Sequence, residues 1–429
     1  MFRNLLAKTS LALLLSLGFA AEELHAQSEA QPVAIPGWNA LIQQLQALPV
    51  AALNKLPAEL RNDPQVQQEV ARLILQALTM SAISTLGADG DHPVFLPSIG
   101  ELINVGQPNA DTIYKAAEIA PGGVYRLRGY PGTLTMSVIG QVGPSPADPG
   151  SEGDHPGPTR NYLYLDTLKT HDDGQFDVLL SVDKPQGYRG DWWPLHPKTY
   201  RLMLRQVSSD WQAQIDPAIT IERIDIPVGR TRPSAETMEA RLRRLPMMTA
   251  FMSTMFVDQA SKLRAQGYVN KLKVLDVSTS GGLDGQFYYE GAFDLQDDEA
   301  LIIEATQPEH CQYRSVILTN DIYQTLDWYN NQSSLNESQA AADADGVLRV
   351  VISRLDPGVP NWLDTGGYQR GVVQGRWTHC NYQPMPVVKK VAVEKVRDYL
   401  PPETLVVTAA ERQRIVRERR AAYQLRRHW

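Results

Sequence analysis

Two periodicities alternate along this chain. Over residues 38–86 apolar side chains recur at helical spacing: Leu41, Leu45 and Leu48, then Val70, Leu73, Leu75 and Leu78. That spacing lines one face of a helix. Pro49, Pro57 and Pro64 are expected to split the stretch into short helices that form a cap. From Asn109 the period shortens to two, and residues 124–128 and 134–138 alternate as half-buried strands do. Further strands are predicted at Tyr162, 176–182, 200–207 and 219–224. The Gly/Pro/Asp-rich stretch 140–159 reads as an exposed loop. Ser234 then opens a helical insert carrying Met238, Leu242 and Leu245. Pro246 is expected to interrupt it before a second helix over 249–266. Alternation resumes at Tyr288 and continues through 300–304, 313–318 and 348–353.

The two alternating regions echo each other. The run from Asp173-Gly174 to Ser181 returns as Asp345-Gly346 to Ser353. A proline (Pro185, Pro357), a tryptophan (Trp192, Trp362) and an apolar run ending on arginine (Arg205, Arg376) follow in both. Such duplication implies two similar modules in tandem. The predicted class is α+β, with two related antiparallel β-sandwich modules of jelly-roll type. The expected divisions are a signal peptide (1–26), a helical cap (37–105), a first module (106–228), a helical insert (229–283), a second module (284–390) and a helical tail (391–429). In the tail, Thr408 and Glu411 make a capping box. Ile415, Val416, Tyr423 and Leu425 are expected to pack onto the β core, leaving the arginines solvated. The alternative is an arginine face docked on anionic lipid or polysaccharide.

Composition narrows the function class. The net charge of −7 argues against nucleic-acid binding, which needs a basic surface. Arg3 and Lys8 precede an apolar run over 11–21, and Leu24-His25-Ala26 offers a cleavage site before Gln27. This is the pattern of an export signal, and the expected location is periplasmic or secreted. No later run reaches the roughly 18 unbroken apolar residues of a spanning helix. Cys311 and Cys380 each follow a histidine. A disulfide is the simpler use in an oxidising compartment. Two unrelated thiols or a zinc site are the alternatives, but His and Cys adjacent on a strand point to opposite faces.

No nucleophile elbow, zinc-protease helix, phosphate loop or dinucleotide fingerprint is present, so no cofactor or metal is expected. Two segments mix amide or carboxylate groups with an aromatic ring before a strand. One contains Asn109, Asp111 and Tyr114; the other contains Asn361, Trp362, Asp364, Thr365 and Tyr368. Rings that stack and polar groups that fix hydroxyls suit sugars and similar polar rings. The sequence therefore favours binding or processing of such a compound, with enzymatic activity left open. A hydrolase or lyase for an apolar molecule, on the Met-rich insert, is an alternative. So is a structural envelope protein without a ligand. A homo-oligomer is compatible with all three.

The run 357–367 with Arg376-Trp377, the upstream run 326–336 and Asp345-Gly346 resemble the domain-of-unknown-function 1214 family. Asn109, Asp111, Thr112 and Tyr114 resemble a segment of domain of unknown function 1254, which often precedes it. The resemblance covers about 290–380 closely and 108–225 more loosely. It implies β-sandwich folds in bacterial, often exported, proteins, and brings no established catalytic residues.

Overall fold

The structure is a computed structural model that describes residues 35–143, 159–277 and 282–429. The expected signal peptide and most of the 140–159 loop lie outside them; residues 140–142 and 159 belong to strands.

Among the described residues nine strands form the first module: β1 (Leu96–Pro97), β2 (Thr112–Glu118), β3 (Tyr125–Tyr130), β4 (Met136–Val142), β5 (Thr159–Tyr164), β6 (Phe176–Ser181), β7 (Asp191–Pro194), β8 (Arg201–Val207) and β9 (Ala218–Arg223). The second repeats them as β10 (Lys273–Leu275), β11 (Gln286–Asp294), β12 (Glu299–Thr306), β13 (Cys311–Thr319), β14 (Ser334–Asn336), β15 (Val347–Ser353), β16 (Trp362–Asp364), β17 (Arg370–Cys380) and β18 (Val387–Ala392). Sheet orders β1-β2-β8-β4-β5 and β7-β6-β3-β9 recur as β10-β11-β17-β13-β14 and β16-β15-β12-β18. Even the parallel pair β6–β7 has its counterpart in β15–β16. Each module closes its two sheets over an apolar core. Tyr125, Leu127, Phe176, Leu180 and Leu204 fill the first, and Phe293, Leu301, Leu318, Ile352 and Trp377 fill the second.

The echoed residues make the same local structures twice. Asp173 accepts the N–H of Gln175 at 3.0 Å, and Asp345 accepts that of Val347 at 3.0 Å. Gly174 and Gly346 follow at φ +81° and +76°, a left-handed turn that glycine enters without steric cost. Trp192 Nε1 donates to Ser181 Oγ at 2.9 Å, and Trp362 Nε1 to Ser353 Oγ at 3.0 Å. The repeated tryptophans thus tie each short parallel strand to its neighbour.

The helices depart from the expected breaks. Pro49 lies inside α1 (Trp38–Leu53) and Pro246 inside α4 (Ala235–Thr254). An interior proline costs roughly 3 kcal/mol in an isolated helix. In α4 that loss is met by packing, since Leu245, Pro246, Thr249 and Ser253 are all buried. Pro57 and Pro64 do mark helix starts, at α2 (Ala58–Arg61) and α3 (Pro64–Ala82). α4 packs against α1 and α3, so cap and insert share one helical layer. The span 64–87 is apolar and long enough to cross a membrane, yet Val70, Leu73, Ile74, Ala77 and Met80 are buried in that layer. α5 (Gln259–Ala265) covers the outer face of the β11–β17 sheet through Ala260 and Leu263.

The last helix, α6 (Ala409–Leu425), carries the expected Thr408–Glu411 capping box. Its buried face reverses the expectation. Tyr423 is buried and Ile415 and Val416 are half-buried, but Leu425 is 77% exposed. Arg412, Arg419 and Arg426 are buried instead. They lie seven residues apart, close to two helical turns, and so share one face. Arg412 pairs with Asp356 at 2.8 Å and lies over the Trp362 ring. Arg419 donates to the Trp328 carbonyl and to Ser334. Arg426 pairs with Asp216 at 2.7 Å and donates to the carbonyls of Asp111 and Gln206. The helix thereby grips the second module at one end and the first at the other.

Cys311 and Cys380 sit directly opposite on β13 and β17 and form a disulfide. Closing a loop between residues 69 apart contributes on the order of 4 kcal/mol in the chain-entropy picture. Non-reducing mass spectrometry is expected to find the bond, and reduction to lower the urea midpoint. Two free thiols, or a midpoint indifferent to reduction, would contradict it.

Candidate functional site between the modules

The five-stranded sheets meet by their outer faces. Met136, Val138, Val207, Tyr162 and Tyr164 of the first module pack with Leu283 and Tyr313 of the second. Strand alternation sends the sandwich residues inward and a polar set outward. On the second module's sheet that outer set includes Tyr288, Glu290, Tyr313, Ser315, Asn336, Gln374 and Arg376. Register places Tyr114 opposite Arg205 and Tyr288 opposite Arg376, an equivalent pair in each module.

Asp111 is the centre of the seam. Its carboxylate is fully buried and accepts from Trp211 Nε1 at 2.9 Å, Asn336 Nδ2 at 2.7 Å and Tyr313 OH at 2.6 Å. Burial pushes its pKa up, against the pull of these donors and of the Arg419 charge. Asn109 joins from the same loop, donating to Thr112 Oγ1 and to Tyr313 OH. Two of the candidate residues are therefore parts of a buried junction that joins the modules. Tyr114 lies beside them, its hydroxyl 3.4 Å from the Asn109 N–H.

A second polar chain runs across the same sheet. Arg376 lies 5.0 Å from the Tyr288 ring centre and donates to Gln374 at 2.8 Å. Gln374 donates to Tyr323 OH at 3.2 Å, Tyr323 OH to Glu290 at 2.8 Å, and Gln259 of α5 to Glu290 at 2.8 Å. Burial raises the pKa of Glu290 and of the Tyr288 phenol.

Between the sheets opens a cleft of about 880 Å³. Tyr162, Tyr164 and Tyr288 supply its rings, and Asn161, Asp276, Asp284 and Gln286 its polar groups, while Phe287 borders it with a side chain packed on the second module's core. Tyr162 OH donates to the Gly282 carbonyl at 2.7 Å, and the Tyr164 ring lies 5.9 Å from that of His379. Gln286 is held by Thr378 Oγ1 at 3.0 Å. The arrangement offers aromatic faces with fixed amide and carboxylate oxygens. Among the described residues no group of three or more His, Cys, Asp or Glu side chains could hold a metal.

The other candidate segment is elsewhere. Asn361 donates to the carbonyls of Ala341 and Arg349. Trp362 is buried beneath Arg412, and Asp364 accepts the Gly366 N–H at 2.8 Å. Thr365 is buried, and Tyr368 OH donates to Glu69 of α3 at 2.7 Å. None of these lines the cleft. Trp362 and Asp364 lie near Arg412, whereas Asp111 lies near Arg426, 14 residues or roughly 21 Å further along the α6 direction. The cleft residues themselves escaped sequence reasoning. Tyr162 and Tyr288 read only as strand residues, and nothing in the sequence set them on one cleft.

Comparison with known proteins adds to fold more than to activity. Residues 156–210 match the DUF1214 family. That family is described only as a protein of unknown function. The match falls across β5–β8, whose counterparts in the second module, β14–β17, carry most of the resemblance read from the sequence. An uncharacterised protein from Burkholderia cenocepacia superposes with a TM-score of 0.76 at 25% identity, covering 84% of this chain and 98% of that one. A protein from Vibrio parahaemolyticus gives 0.43 at 13% identity, covering 75% and 99%. No functionally curated protein matches the chain.

The raised pKa of Glu290 fixes the sign of a pH effect. The folded state holds a proton that the unfolded chain has released, so this group's contribution to stability falls as pH rises above the ordinary glutamate range. Glu290→Gln removes that loss. Urea denaturation at about pH 4 and about pH 7 is expected to show the variant gaining on the wild type at the higher pH. A constant difference would contradict the assignment.

Proposed function

We propose that the inter-module cleft binds a carbohydrate or a similar polar ring compound. The observation that carries this reading is the pairing of the Tyr162, Tyr164 and Tyr288 rings with Asn161, Asp276, Asp284 and Gln286 around one open space. An aromatic face gives such a ring a broad apolar surface to lie on. Gln286, already oriented by Thr378, supplies direction to the contact. The Cys311–Cys380 bond is compatible with an exported protein, which would meet such compounds outside the cytosol.

A thermal-shift screen of mono- and oligosaccharides tests this. A binder is expected to raise the melting temperature, because a ligand that prefers the native state stabilises it. Tyr164→Ala, whose ring is part-exposed, is expected to abolish the shift while leaving the unliganded melting temperature within a few degrees. The absence of any shift across the panel, or a shift untouched by Tyr164→Ala, would overturn the proposal.

A further inference from the structure

A second cavity, of about 570 Å³, lies at the C-terminal end of α6. Ile83, Ile99, Ile103 and Ile113 line it, with the rings of Tyr114, Tyr329 and Tyr423. Tyr329 and Tyr423 stack at 4.7 Å with planes 12° apart. Into this apolar surround comes one carboxylate, Glu101. Its only hydrogen-bond contact among the described residues is Tyr329 OH at 3.4 Å. No lysine, arginine or histidine pairs with it among those residues, although most half-buried carboxylates here have such a partner.

The basic groups nearby are already committed. Arg426 also lines the cavity, but Asp216 and two carbonyls take its guanidinium. His428 contacts the Tyr423 carbonyl at 2.9 Å, and burial lowers its pKa, so it is neutral at neutral pH. Burial and the nearby Asp327 both raise the pKa of Glu101, with no cation opposing them. The one guanidinium in the lining is thus already neutralised by Asp216, and no cation among the described residues pairs with Glu101. A pocket of this size with mostly apolar walls and a few polar groups, among them a carboxylate without an ion-pair partner among the described residues, is a ligand site in form. Aromatic faces attract cations, and a carboxylate in low dielectric attracts them more strongly than in water.

We infer that this cavity binds a small amphipathic organic cation, a ring or short apolar body bearing an amine, with Glu101 as counter-charge and Tyr329 beside it. The site is separate from the inter-module cleft and does not depend on its reading. Calorimetric titration with benzylamine, its neutral isostere benzyl alcohol, and benzoate tests it. Benzylamine is expected to bind at least about tenfold more tightly than benzyl alcohol, the factor that one charge-assisted hydrogen bond supplies, and benzoate not to bind. Glu101→Gln should bring the amine and alcohol affinities together. Ile99→Trp, which fills the cavity, should remove both. Tyr164→Ala in the other cleft should leave benzylamine binding intact. Equal binding of amine and alcohol, an affinity ratio that survives Glu101→Gln, binding that survives Ile99→Trp, or no benzylamine binding at all would each overturn the inference.

Discussion

Three buried guanidinium groups on one helix face hold the two modules together. Taking a charge out of water costs several kcal/mol unless carboxylates and carbonyls replace the lost hydration. Arg412 and Arg426 find such partners in Asp356 and Asp216, on different modules. Arg419, between them, has among the described residues Trp328 O, Ser334 Oγ and the Trp211 ring at 4.4 Å, and no carboxylate in direct contact. Burial pulls its pKa down to about 10, which still leaves it charged at neutral pH. The nearby Asp111 carboxylate, buried without a direct ion pair, supplies part of the compensating field. Helix and seam therefore need each other: α6 neutralises the junction, and the junction hydrates α6.

The duplication explains why that junction exists. Two copies of one nine-stranded unit each bury their sandwich faces, which leaves two outer sheet faces to be covered. α5 covers one end of the second module's face, and the first module and α6 pack on other parts of it. Equivalent positions have diverged at the seam. Met136, opposite Val207, corresponds to Tyr313, opposite Thr378, so one side became apolar while the other gained a hydroxyl for Asp111. The cleft opens where Tyr162 and Tyr164 of β5 approach the start of β11.

Local features were legible in the sequence and long-range ones were not. The Asp-Gly turns and the Thr408 capping box are contacts within a few residues, and residue type alone announces them; the tryptophans were legible only as a repeat, and their ties to serines 11 and 9 residues away show only in the fold. The equivalence of Arg205 and Arg376 followed from the repeat. The burial of Arg419 did not, because an arginine at a helix position reads as solvated unless its partners are known. Those of Arg426 lie 210 and 315 residues away. Pro246 misled for a related reason: its cost is local, but the packing that offsets it comes from α1 and α3. Asn109 and Asp111 were recognisable as unusual, yet only the fold reveals that they face Tyr313 and Asn336 rather than the turn at Asp364.

Hydrogen exchange on Arg426→Met tests this account most directly. Removing the charge leaves Asp216 buried and unpaired, a loss of about 3–5 kcal/mol. It also frees the Asp111 carbonyl, which Ser208 N–H shares at 3.0 Å. The account predicts that amides along the seam, Ser208 and the β14 strand among them, lose protection first. Amides of β6 and β15, inside the two sandwiches, should keep theirs. Unchanged protection at Ser208, or a loss spread evenly through both sandwiches, would contradict a helix that joins two otherwise self-sufficient modules.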